Sequence, residues 1–374
     1  MSDQPVLFDT LPTASGHVFG RATLNAPASL NALSLAMVDL LDPQLAAWAA
    51  DPKVVGVVLD AAGDKAFCAG GDVVGLAHAI RAQGPGEAPQ VARDFFEREY
   101  RLDYRIHTFP KPLLCWGHGI VMGGGIGLMS GASHRVATPK TRMAMPEINI
   151  GLYPDVGGSW LLARAPGASG PFLALTGAHI NAADALFAGL ADFVLAHESY
   201  PAVLNALRAA QWMGAQADDG AQLSHLLEGL GQQGAELPAS PLRTHFDRIR
   251  AVIGHDRLSD IAARMAALAQ DADPWLAQAA QTFLEGSPTS AALGLELQRR
   301  ARHLSLADVF RLEWQASAGC CAHTDFAEGV RALLIDKDKQ PKWQPATLAE
   351  VTPAWIEDHL KPRFDGAHPL ADLA

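Results

Sequence analysis

Apolar and polar positions alternate from His17 to Leu24, which predicts a β-strand, and the stretch from Asn25 to Leu33 then reads as a loop. Ser34 is placed as an N-cap, so a helix is expected to open there and run towards Ala50, with a kink or restart at Pro43. Val54–Asp60 is a continuous β-branched run bounded by turn residues, the pattern of a strand buried on both faces. The Gly/Ala-rich segment Ala66–Asp72 follows and is expected at that strand's carboxyl end. A helix over Pro89–Thr108, a strand over Pro112–Trp116 and a loop over Gly117–Gly125 come next. A small-residue helix is expected to open near Gly123 and reach Ser133, before a short strand, His134–Ala137, and a loop, Met143–Gly158. Strands alternating with helices predict parallel pairing through right-handed crossovers.

Past about residue 200 the pattern changes: Ala, Leu and Gln dominate, with turn signals at Gly214–Gly220, Gly231–Pro238 and Asp271–Pro274. This region reads as mainly helical, ending in Val330–Lys342 and a polar tail. The expected division is therefore an α/β core over 1–200 and a helical region over 201–374. No internal repeat is visible.

Composition narrows the function classes. Of 374 residues, 49% are apolar and 18% charged, which suits a packed core rather than disorder. A net charge of −11 argues against sequence-independent nucleic-acid binding, which needs a broad basic face. No apolar run reaches the roughly 18 residues that span a bilayer. The first residues lack a basic segment followed by an apolar one, so neither a signal nor a transit peptide is read there, and a cytoplasmic address is expected. Cys68, Cys115, Cys320 and Cys321 show no metal-type spacing and read as reduced thiols; no metal site is expected.

Three loops carry candidate chemistry: Ala66–Asp72, Gly117–Gly127, and the pair Met145–Glu147 and Pro154–Gly158. Glycines in the first two let backbone approach a ligand and leave N–H groups exposed. A helix opening on the second loop would aim its first-turn N–H groups at the same spot. Such donors can hold an oxygen that becomes anionic when a carbonyl is attacked. The third segment supplies acids: Glu147 and Asp155 each follow a proline and sit among apolar and small residues, where desolvation raises a carboxyl pKa.

Other chemistries find less support. Gly123–Ser130 contains no strict GxGxxG, which disfavours a dinucleotide-binding oxidoreductase. No GxSxG pentapeptide, HExxH or P-loop occurs. A non-catalytic binding or scaffold protein remains open, although the two acids and both glycine loops argue against it.

Phe67–Asp72, His118–Gly127, Met145–Glu147, Gly151–Gly158 and Leu175–Gly177 resemble the enoyl-CoA hydratase/isomerase (crotonase) superfamily. Ser287–Ser290, Asp325–Arg331, Asp336–Asp338 and Pro341–Trp343 extend the resemblance over nearly the whole chain and are similar to its acyl-CoA hydrolase branch. The resemblance implies a crotonase-like ββα spiral with a C-terminal helical region covering the acyl pocket. It also implies that coenzyme A enters as part of a small acyl-CoA substrate, with no separate cofactor, and that copies of the chain can assemble. The backbone N–H groups of Ala69 and Gly124 would form an oxyanion hole, with Gly70, Gly71, Asp72 and Gly123 lining the coenzyme A path. Glu147 would be the principal catalytic carboxylate and Asp155 the second acid, beside the distal hydroxyl and the attacking water. Glu99 matches a further substrate-side position, although its spacing equally suits a helix-surface acid paired with an arginine. A hydratase of this superfamily carries a second glutamate where this chain has Gly127, so hydration is disfavoured and thioester hydrolysis favoured.

Overall fold

The computed structural model describes residues 4–231, 236–254 and 257–374. Its chain divides into two compact units, each assembled from three stretches: Met1–Gly71, Leu102–Met143 and Ile180–Ser240 in the first, and Asp72–Arg101, Ala144–His179 and Pro241–Ala374 in the second. The boundary expected near residue 200 thus falls inside the last stretch of the first unit. Part of the turn expected over 231–238 lies outside the described residues.

In chain order the strands are β1 (Val6–Pro12), β2 (Val18–Leu24), β3 (Val54–Ala61), β4 (Ala66–Cys68), β5 (Leu113–Gly117), β6 (Ile120–Met122), β7 (His134–Ala137), β8 (Arg142–Ala144), β9 (Ile180–Asn181) and β10 (Phe193–Val194). One sheet has the order β1-β2-β3-β5-β7-β10 and the other β4-β6-β8-β9. In the larger sheet β1 and β2 form an antiparallel pair, and every later neighbour pairs parallel, as the alternation of strands and helices predicts. β3 is buried from Val54 to Asp60, in line with its unbroken β-branched run. Its core includes Phe19, Val58, Leu114, Trp116, Trp212 and Leu227, with the Phe19 and Trp212 rings edge to face at 4.8 Å.

Several local readings change. Ala66–Cys68 and Ile120–Met122, read as loop, are short strands that pair parallel; three residues are too few to display an alternation. The Leu35–Ala50 helix, capped by the Ser34 side chain, runs unbroken through Pro43. That proline lies on the exposed face, where a carbonyl that loses its intrahelical donor can turn to water. A helix over Val74–Gln83 went unread, and the small-residue helix is shorter than expected, Gly124–Ser130.

Those changes matter for the glycine loops. Parallel pairing of β4 with β6 sets their carboxyl ends side by side within the first unit. Gly125 then lies so close to β4 that an added Cβ would sit 2.4 Å from the Cys68 carbonyl oxygen. Only glycine permits that approach.

Helices build most of the second unit, and their starts are written in sequence. Pro274 and Pro288 stand in the first turn of Pro274–Glu285 and Pro288–Ala301. Ser287 and Ser305 cap with hydroxyls that accept from the Ser290 and Asp308 N–H groups, both at 3.1 Å. Among the described residues no helix is long and apolar enough to cross a membrane.

Gly125→Ala is expected to push the Gly124–Ser130 helix off β4. Overpacking of this kind costs about 1–3 kcal/mol, to be read as a lower urea midpoint at unchanged slope; wild-type stability would show that the loops need no such contact.

Candidate active site

Within the second unit, carboxyl groups from all three of its stretches lie buried: Glu99, Glu147, Asp155 and Glu313 are each no more than 4% exposed. Glu99 is therefore not a surface acid paired with an arginine. Burial pushes its carboxyl well above the ordinary range, and the nearby Asp155 adds to the effect.

Glu147 opens a short 3-10 turn, Glu147–Ile150. Gly151 ends this turn with φ +71, and an added Cβ there would lie 2.4 Å from the Asp325 backbone. The Ile148 carbonyl accepts from the Ser287 N–H at 3.0 Å, tying the turn to the next helix. So held, Glu147 keeps its Oε2 buried without a hydrogen-bond partner. Burial, then the Asp155 charge, push its pKa well up. A carboxyl in that condition is a strong base once ionised, because nothing solvates the charge.

Asp155 stands before two left-handed residues, Val156 at φ +53 and Gly157 at φ +80. A β-branched residue rarely adopts this conformation, and such strain persists only where surroundings impose it. Glu313 supplies that restraint. Its carboxyl accepts from the Gly157 N–H at 2.7 Å and the Ser159 N–H at 2.9 Å. Burial pushes Glu313 up to about 8 against the pull of these two donors.

Tyr100, Tyr153 and Ser317 complete the cluster. The Tyr100 hydroxyl meets Asp155 Oδ2 at 2.7 Å and Ser317 Oγ at 2.7 Å; Ser317 also meets the Tyr153 hydroxyl at 2.8 Å. Sequence reading passed over Tyr153, Glu313 and Ser317. One signal was present: Glu313 and Ser317 stand four residues apart, on one face of a helix, Leu306–Ala322, whose neighbouring residues are largely apolar and small.

In the first unit, the Ala69 N–H donates to the Leu30 carbonyl at 3.1 Å. An amide so engaged is turned into the protein, which corrects the expectation that Ala69 is an oxyanion donor. Gly71 offers the alternative. It bridges Leu33 in parallel, and there the Leu33 N–H takes the Gly70 carbonyl at 2.8 Å, so the Gly71 N–H stays out of that bridge. Gly70 makes this path at φ +113. Gly124 is the first residue of its helix, with Gly123 before it at φ +47. The Gly123 carbonyl accepts from Ile126 and Gly127, and a first-turn N–H such as that of Gly124 has no intrahelical acceptor. Asp72 is exposed. Beside the start of β4 lies a cavity of about 280 Å³, lined in part by Pro27, Leu30, Asn31 and Lys65. His118 hydrogen-bonds the Gly63 carbonyl through Nε2 at 2.7 Å, which gives it a structural anchor.

Comparison with known proteins identifies the family. The sequence profile described as enoyl-CoA hydratase/isomerase matches residues 19–360, and the chain belongs to that family. Among relatives, the chicken (Gallus gallus) protein named 3-hydroxyisobutyryl-CoA hydrolase, mitochondrial, is 39% identical over 92% of this chain and 86% of its own length. The zebrafish (Danio rerio) protein of the same name is 37% identical over 94% and 88%. A crystal structure titled carnitinyl-CoA dehydratase, from Mycobacterium thermoresistibile, superposes with TM-score 0.83 at 38% identity, covering 96% of this chain and 97% of that one. One titled enoyl-CoA hydratase, from Rhodobacter sphaeroides, gives 0.80 at 36% identity, with the same coverage.

The relatives' mitochondrial names overturn the cytoplasmic address expected from the first residues. Addresses are read by cellular receptors, and the composition of a folded domain does not encode them.

The raised carboxyls fix a sign for pH dependence. Asp155 is pushed by burial from an ordinary 3.8 up to about 6, and Glu313 from 4.5 up to about 8. The folded protein keeps these protons where the unfolded chain has lost them, so this contribution is full below the unfolded values and is lost as pH rises through the folded ones. The urea midpoint is expected to fall between about pH 5 and about pH 8.5, and to fall less in Asp155→Asn. A midpoint that rises over this range would contradict the raised values.

Proposed function

We propose that this chain hydrolyses 3-hydroxyisobutyryl-coenzyme A to 3-hydroxyisobutyrate and coenzyme A, a step of valine catabolism. The observation that carries the reading is Glu147: a buried carboxyl with one oxygen unpartnered, beside a second acid, in a chain whose relatives are named for this reaction. Gly127 supports hydrolysis over hydration, because it leaves no acid at the position that a hydratase of the family uses.

Hydrolysis of a thioester asks for charge stabilisation on one oxygen and for a base or nucleophile. The backbone N–H groups of Gly71 and Gly124 serve the first need, replacing the pair that included Ala69. Glu147 serves the second, either activating water or attacking the carbonyl to give a mixed anhydride that water then cleaves. Asp155 receives the substrate's distal hydroxyl, and Glu99 lines the same side. Coenzyme A is carried in as the leaving group, along Gly70, Gly71 and Asp72, and the reaction as written draws on no other cofactor.

A panel of short acyl-CoA thioesters, followed by free thiol release, tests the assignment: the 3-hydroxyisobutyryl ester is expected to turn over fastest. No thiol release from any thioester would sink it, and hydration of an enoyl-CoA without release would move the chain to the hydratases. Glu147→Gln is expected to lower kcat by roughly 10²–10⁴ with little change in KM. Asp155→Asn should slow 3-hydroxyacyl esters more than plain acyl ones. Single turnover in oxygen-18 water separates the two routes, since label reaches the Glu147 carboxyl only through the anhydride.

A further inference from the structure

Four close oxygen contacts run in a row through the second unit. Asp155 Oδ2 lies 2.7 Å from the Tyr100 hydroxyl, Tyr100 lies 2.7 Å from Ser317 Oγ, Ser317 lies 2.8 Å from the Tyr153 hydroxyl, and Tyr153 lies 2.5 Å from the Glu313 backbone carbonyl. Every one is at hydrogen-bond distance, and every side chain in the row is buried.

Each contact needs one proton, and the three hydroxyls bring three. The Glu313 carbonyl has none to give, so Tyr153 donates to it. Ser317 must then donate to Tyr153, and Tyr100 to Ser317. What remains for the contact between Asp155 and Tyr100 is a proton on the carboxyl itself. With Asp155 ionised, Tyr100 would turn its hydrogen to the carboxylate, and Ser317, with one proton to give, would leave its contact with either Tyr100 or Tyr153 to lone pairs alone.

We propose that Asp155 rests as a neutral carboxylic acid, its proton held by the hydroxyl chain Tyr100–Ser317–Tyr153 that ends on the Glu313 carbonyl. The role this gives Asp155 rests on the hydrolase reading. Its Oδ2 hydrogen is turned to Tyr100, and Oδ1 is left as an acceptor for the substrate's distal hydroxyl. Tyr100, Ser317 and Tyr153 are positioning residues. The arrangement also removes one negative charge from the cluster, which eases ionisation of Glu147.

The surroundings agree. The groups whose charge is coupled to that of Asp155 are Glu99 and Tyr100 from the Gln90–His107 helix, Glu147 and Tyr153 from the neighbouring turn, and Glu313, Cys320 and Cys321 from the Leu306–Ala322 helix. All of these are neutral or negative, so none supplies a counter-charge to an ionised Asp155. Burial lifts Asp155 to about 6 even with Tyr100 donating to it, and reversing that bond removes a side-chain contact that holds it down.

Infrared titration of the substrate-free protein, with aspartate carboxyls labelled with carbon-13 and Asp155→Asn used to assign the band, reads the protonation state without turnover. The protonated band of Asp155 is expected at neutral pH. Ser317→Ala frees the Tyr100 hydrogen for Asp155, so its midpoint should fall by about one pH unit, a tenfold change in proton affinity. Tyr153→Phe should act the same way and serves as the second variant if Ser317→Ala does not fold. Tyr100→Phe leaves no donor to the carboxyl, and its midpoint should stay high. The proposal is overturned if wild-type Asp155 is ionised at neutral pH. It is equally overturned if Ser317→Ala and Tyr153→Phe leave the midpoint unmoved while Tyr100→Phe raises it. Either result would leave thiol release intact, whereas failure of the hydrolase reading would appear as its absence.

Discussion

Removing a carboxylate from water costs several kcal/mol unless donors or a counter-charge replace the lost solvation. The second unit meets this cost repeatedly, with Glu99, Glu147, Asp155 and Glu313 all buried. The four do not solve it alike. Glu313 takes two backbone N–H groups, Asp155 leans on a tyrosine, and Glu147 keeps an oxygen with no partner. Unequal solvation sets like groups apart: the well-bonded acid holds backbone in place, and the poorly bonded one keeps an unsatisfied oxygen.

The restraint by Glu313 shows how far from the reacting group a constraint can originate. A valine at φ +53 would relax if its turn were free. Two backbone hydrogen bonds donated to a carboxyl more than 150 positions later in the chain keep it from doing so. Asp155, directly before that valine, inherits its direction from this hold.

Much of this was legible in sequence, for physical reasons particular to each element. A β-branched run such as Val54–Asp60 admits little else than a buried strand, and Ser34 announces its helix through one hydroxyl. The Pro-Glu and Pro-Asp pairs stood out because acids among apolar neighbours are costly. Strands β4 and β6 were not legible, since three residues hold no period and pair only because a partner is present. Ala69 was misassigned because a sequence shows which residues can expose an amide, not which carbonyl faces it; the acceptor, Leu30, is 39 positions earlier. Glu313 and Ser317 were hidden by distance along the chain: a helix face has meaning only once its neighbour is known.

The interleaving of the two units bears on how the protein reaches its native state. The chain passes from one unit to the other five times, at the joins between its six stretches. Tyr100 and Ser317 touch across 217 positions, and Tyr153 and Glu313 across 160. Contacts of such sequence separation are slow to close, because loop entropy is lost before they form. The hydroxyl row therefore belongs among the late events of folding, and a nascent or truncated chain lacking its last third has no means of assembling it.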